Sequence, residues 1–97
     1  MAAKPLGYFQ LDDAETVKTL ADIIAGELPA EAHFAYIQVE GANARWRDDG
    51  EDPTTAVGFL LIAGDILQID RGALASFKII EVASGLTAVN LSLYQTP

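Results

Sequence analysis

Cysteine is absent from this 97-residue chain, and histidine occurs once. Without cysteine there are no disulfides, no thiolate nucleophile and no Cys-based zinc site, and the compartment stays open. A single histidine, His33, excludes the multi-histidine metal cluster of a cupin-type barrel. Its sequence neighbours Glu31 and Phe34 offer no partner pattern for acid–base work, so His33 reads as structural or solvent-facing. Basic residues are scarce too: Lys and Arg total 6 against 14 acids, for a net charge of −8. A phosphate backbone repels such a surface, and the few cations are dispersed, so nucleic acid is not an expected partner. Long apolar runs are also missing. The longest, Ala56 to Ala63, is far too short to span a bilayer, and no membrane partner is expected. The opening MAAKPLGYFQLDD holds one Lys and no apolar stretch of signal-peptide length, so synthesis without a secretion signal is expected. Glycine-rich phosphate loops are absent, and Ser76, Ser84 and Ser92 lack the Gly-x-Ser-x-Gly context of a nucleophile. Neither a cofactor nor a reaction is expected. Carboxylate pairs alone remain as an enzymatic possibility, and sequence does not place them in space.

What is present describes a small folded domain. Hydrophobic residues make up 51% of the chain, which favours a packed core over disorder. A chain of 10.3 kDa should fold to a surface of about 5,400 Å² from roughly 15,000 Å² unfolded, enough burial for one modest core. Residues 1–97 therefore read as a single β-sandwich domain, with no repeat, linker or low-complexity stretch. The acids are unevenly spread: only Asp65, Asp70 and Glu81 follow Pro53, which marks the C-terminal half as the larger core contributor.

Period-2 alternation and turn residues recur along the chain. Leu6 to Leu11 reads as a first strand, bounded by Pro5 and Asp12. His33 to Glu40 puts Ala35, Ile37 and Val39 on one face and Phe34, Tyr36 and Gln38 on the other. Ala56–Ala63 is an apolar run closed by Gly64-Asp65, and Ile66–Asp70 is a strand stopped by Arg71-Gly72. Ser76 to Val82 places Phe77 and Ile79 together. After the Ser84-Gly85 turn, Thr87 to Tyr94 alternates Val89, Leu91 and Leu93 against Ala88, Asn90, Ser92 and Tyr94. Short strands with turns every 8–12 residues or so, polar residues interspersed, predict an antiparallel β-sandwich or small barrel.

Asp12 to Leu28 fits two patterns. Val17, Leu20, Ala21, Ile24 and Leu28 fall at helical spacing, and Asp12 with Glu15 matches a capping box. Val17, Thr19, Ala21 and Ile23 also alternate as a strand. Gly26 and Pro29 close the segment either way, and one short helix within 12–28 remains an option.

The stretch Tyr36 to Gly58 carries the chain's most distinctive side chains: the only Trp, two Arg and four clustered acids. It reads as two strands, Tyr36–Glu40 and Ala44–Arg47, joined by a short turn at Gly41 and followed by a polar loop. Arg45, Trp46, Arg47, Asp48, Asp49 and Asp52 are the candidate interface or ligand residues. Trp46 faces one side of its strand, as a core plug, a subunit anchor or a platform for a sugar ring. Arg45 and Arg47 face the other, within reach of the local acids. The loop Asp48-Asp49-Gly50-Glu51-Asp52 lacks the spacing of the helical calcium loop and reads as a solvated turn, so no metal site is assigned.

These same residues carry a resemblance. Ile37-Gln38-Val39-Glu40-Gly41, Arg45-Trp46-Arg47-Asp48-Asp49-Gly50 and Asp52-Pro53-Thr54 are similar to the "IQxEG…RWRDDG…PT" core of small all-β proteins from tailed bacteriophages and prophages. Ala56-Val57-Gly58-Phe59-Leu60, Ile62 to Leu67, Phe77 to Ile80 and Val89 to Tyr94 resemble the later segments of that family. The likeness covers about residues 31–95. Its central motif is fairly specific, and the rest is generic β pattern. The acid-rich, helix-compatible segment 12–28 departs from the family, whose β-rich N-terminal part favours a strand at Val17–Ile23. The family is mostly of unassigned function. What it implies is a jelly-roll or cupin-like β-sandwich with a non-enzymatic structural role. The protein would be made in the host cytoplasm and associated with the virion as a head decoration or cement, or as a tail component. It would act as a homo-oligomer, with other virion proteins as further partners. From another class, a small β-sandwich module with Trp46 and tyrosines around a carbohydrate or other ligand is the alternative.

Overall fold

A computed structural model describes residues 3–96. Eight strands carry the chain: β1 (Lys4–Leu11), β2 (Lys18–Thr19), β3 (Phe34–Glu40), β4 (Ala44–Arg47), β5 (Phe59–Leu61), β6 (Ile66–Asp70), β7 (Lys78–Glu81) and β8 (Ala88–Gln95). One short helix, α1 (Leu20–Ile24), follows β2, and a 3-10 turn spans Arg71–Ala73.

Pairing follows one rule. β1 pairs with β8, β2 with β7, β3 with β6 and β4 with β5, every pair antiparallel. The chain is thus one long two-stranded ribbon whose tip is the β4–β5 hairpin. Rolling that ribbon sets β3 beside β8 and β4 beside β7. The result is two four-stranded sheets, β1-β8-β3-β6 and β2-β7-β4-β5. Eight strands rolled into two such sheets form a jelly-roll sandwich, the all-β architecture expected from the turn spacing.

The core fills the space between the sheets. Ala35, Ile37 and Val39 of β3 meet Val89, Leu91 and Leu93 of β8, all essentially inaccessible, and Ala44, Leu61, Phe77 and Ile79 close it from the opposite sheet. The alternation read along β3 and β8 is therefore the inward–outward alternation of the two central strands. Each large aliphatic side chain so buried contributes roughly 1.5–3 kcal/mol relative to exposure.

Local structure refines the sequence pattern at three places. The short turn at Gly41 joins β3 to β4 as read, and since the two strands lie in different sheets it carries the chain across the sandwich. It does so at a φ of 89°, a conformation open to glycine. Segment 12–28 holds one short helix, the option left open by the sequence, and not the strand at Val17–Ile23 that the resemblance favoured. Two residues of strand pair with β7, and the chain then turns into α1. The capping box sits at Thr19 and Asp22, not at Asp12 and Glu15: the Asp22 amide donates to Thr19 Oγ1 at 3.1 Å and the Thr19 amide to Asp22 Oδ2 at 2.9 Å. Leu20 and Ile23 then face the core. Ala25 in the left-handed region ends the helix, and the Gly26 amide reaches back to the Ala21 carbonyl. The apolar run 56–63 is mostly exposed. Leu61 alone of these residues is buried, because β5 is an edge strand with one face over the core.

Candidate functional site

The β4–β5 hairpin brings the candidate residues together at the tip of the ribbon. β4 alternates as read: Ala44 and Trp46 point inward, while Arg45 and Arg47 point outward. The register pairs Trp46 with Phe59 on β5 and with Ile79 on β7. The Trp46 ring stacks on Phe59, centroids 4.8 Å apart, and on Phe77 at 5.6 Å. It packs against the margin of the core and is half-buried. The cleft beside it, between Trp46, Leu67, Ala73 and Phe77, measures about 110 Å³. Small-molecule sites begin at about 300 Å³. Trp46 is not presented as an open platform for a sugar.

The loop after β4 is tied down on both sides. The two ion pairs among the described residues both anchor it: Arg47 to Asp49, and Lys78 to Asp52 at 2.9 Å. Arg47 donates from Nε and Nη2 to the two Asp49 oxygens, and this hydrogen bonding holds the Asp49 carboxyl below its usual value and raises Arg47. Asp49 Oδ1 also accepts from the Glu51 amide at 3.2 Å, and Ser76 Oγ donates to the Asp48 carbonyl. Pro53 is fully buried beneath the loop. Thr54 and Val57 exchange backbone hydrogen bonds, and Thr54 Oγ1 accepts from the Ala56 and Val57 amides. Arg45 reaches across to donate from Nη1 to the Gly58 carbonyl at 3.1 Å, leaving its buried Nε without a partner. Most of the polar chemistry singled out in the sequence is thus spent inside the loop. Asp48 takes part through its backbone carbonyl, and its side chain is exposed. No three His, Asp or Glu side chains among the described residues converge as a metal site. His33 lies elsewhere, with Nδ1 accepting the Thr96 amide at 3.0 Å and contacting the Thr96 hydroxyl at 2.6 Å, where it ties down the chain's last described residue.

What the bound loop displays is apolar. Val57, Phe59 (65% exposed), Leu60 and Ile62 lie open along β5 and its flanks. β5 and β6 are edge strands of their respective sheets. The sequence reading missed this strip because an apolar run bounded by turns looks the same whether an edge strand or a central strand uses it. The available signal was the shortness of the run between Gly58 and Gly64, with neither charge nor proline to guard an edge.

A second surface lies on the outer face of the β1-β8-β3-β6 sheet, where Tyr8, Tyr36 and Tyr94 stand around Asn90, Gln38 and Ser92. A scan of protein-family models, and searches of curated proteins and of solved structures, gave no match to this chain. Among the described residues, no helix is long and apolar enough to cross a membrane.

Proposed function

We propose that the protein is a non-enzymatic structural protein of a tailed phage, incorporated in the virion as a head decoration or tail component and acting by homo-oligomeric assembly. The observation that carries the assembly reading is the apolar strip on β5. Two copies of a chain with net charge −8 repel one another over most of their surfaces. From Pro53 to Gly64 the chain has no charged side chain, and within that stretch Val57, Phe59, Leu60 and Ile62 are exposed on an open sheet edge. A second copy of this edge suits it, since strand pairing would satisfy the free backbone groups while the apolar side chains leave water. The loop fastened by Arg47–Asp49 and Lys78–Asp52 would hold the strip in place. The virion assignment rests on the motif from Ile37 to Thr54 and on its resemblance to small phage proteins.

The test is the solution mass by light scattering, for the native chain and for Leu60→Asp. Leu60 sits on the outward side of β5, opposite the core-facing Leu61, so the substitution leaves the core intact. A defined oligomer that dissociates to monomer in Leu60→Asp is the expected result. A monomeric native chain, or an oligomer indifferent to Leu60→Asp, would reject assembly through β5.

A further inference from the structure

The outer face of the β1-β8-β3-β6 sheet holds a groove that assembly through β5 does not use. The register lays its side chains in adjacent rows. Tyr8 is opposite Ser92, and Ser92 is opposite Tyr36; in the next row Asn90 stands between Gln10 and Gln38, with Ile66 beyond. Tyr94 closes one end, stacked on Phe34 at 5.0 Å and edge-on to Tyr36 at 5.4 Å. The open groove measures about 310 Å³, at the lower end of the range for small-molecule sites.

The polar groups are held in fixed positions. The Tyr8 hydroxyl donates to Asn90 Oδ1 at 2.7 Å, Asn90 Nδ2 donates to Glu40 at 3.0 Å, and Gln38 Nε2 donates to the Gly64 carbonyl at 2.9 Å. Tyr8 is 61% exposed and Tyr36 stands partly open, on the solvent side of a sheet whose other side is the core. No charged side chain lines the groove. The Glu40 carboxylate is engaged by Asn90.

We propose that this groove binds a neutral saccharide, on the scale of about a disaccharide. Sugar rings present C–H faces that pack on aromatic rings and hydroxyls that exchange hydrogen bonds with amides and alcohols. Tyrosine supplies the apolar face together with a polar tip, and Asn, Gln and Ser supply uncharged donors and acceptors. An acidic sugar finds no cation in the lining and meets a net negative protein, so the site selects against it. This places ligand binding on Tyr8, Tyr36 and Tyr94, away from the Trp46 ring already engaged by Phe59 and Phe77.

The experiment is an NMR titration of the full chain with cellobiose, maltose, lactose and, as the acidic control, glucuronic acid. Expected are shifts of the Asn90 and Gln38 side-chain amides with at least one neutral disaccharide and none with the acid. Tyr8→Ala should weaken that binding about tenfold or more, equivalent to about 1.4 kcal/mol, while Tyr8→Phe keeps most of it. Leu60→Asp should leave it unchanged, which separates this site from the β5 edge. Silence with all three neutral sugars, or shifts unaffected by Tyr8→Ala, overturns the proposal. So do groove signals that move with protein concentration rather than with sugar, since a second copy would then be the occupant.

Discussion

A β-carbon placed on Gly41 would overlap the carbonyl oxygen of Gly85. The two glycines sit where β3 passes to β4 and where β7 passes to β8, two of the crossings from sheet to sheet. Gly41 also has a φ of 89°. Gly41→Ala therefore meets both a backbone clash and a strained dihedral, and should cost at least about 2 kcal/mol. Gly50 has a similar φ of 85° and open space around it, so Gly50→Ala should cost about 1 kcal/mol from the dihedral alone. Urea midpoints of the two variants separate close packing from backbone strain. Equal losses would contradict the crossing described here.

Phe59 covers Trp46. Its ring is mostly exposed, yet it stacks on the indole at 4.8 Å across the β4–β5 ladder. Phe59→Ala should forfeit the aromatic pair, about 0.5–1.5 kcal/mol, and open the indole to solvent. The expected readout is red-shifted Trp46 emission with stronger acrylamide quenching. Emission unchanged from the native chain would mean that Phe77 and the core margin shield the ring without Phe59.

The helix start should respond to acid. Asp22 is held below its ordinary value of 3.8, chiefly by the Thr19 amide donating to its carboxylate. A carboxyl whose value is lower in the folded chain adds stability above its unfolded value, and that stability is lost as pH falls through the folded one. Asp22→Asn should therefore be less stable than the native chain at neutral pH, and the gap should close below about pH 3.8. Denaturant midpoints taken along a pH series measure it. A gap that stays constant down to pH 2 would mean that the capping box contributes nothing through charge.

Period-2 alternation is a local property, which is why the inward faces of β3 and β8 could be read directly from Ala35-Ile37-Val39 and Val89-Leu91-Leu93. Arg47 was legible only as lying within reach of the local acids; its partner is Asp49, two residues on. Segment 12–28 was not, because helical and strand patterns overlap there. Pairing of Lys18 and Thr19 with β7, and the cap at Thr19, decided where one gave way to the other. Partnership between distant strands belongs to the tertiary structure alone. Whether Ala44–Arg47 would pair with the strand before it depended on the rolling of the ribbon, and so did the exposure of Phe59 and Leu60. Tyr8, Tyr36 and Tyr94 lie far apart along the chain on three different strands, and only the register of β8 between β1 and β3 gathers them into one groove. The chain's composition and its period-2 alternation settled that a small acidic β domain would form. Long-range hydrogen bonding, which no local pattern encodes, settled which of its surfaces were left open to solvent.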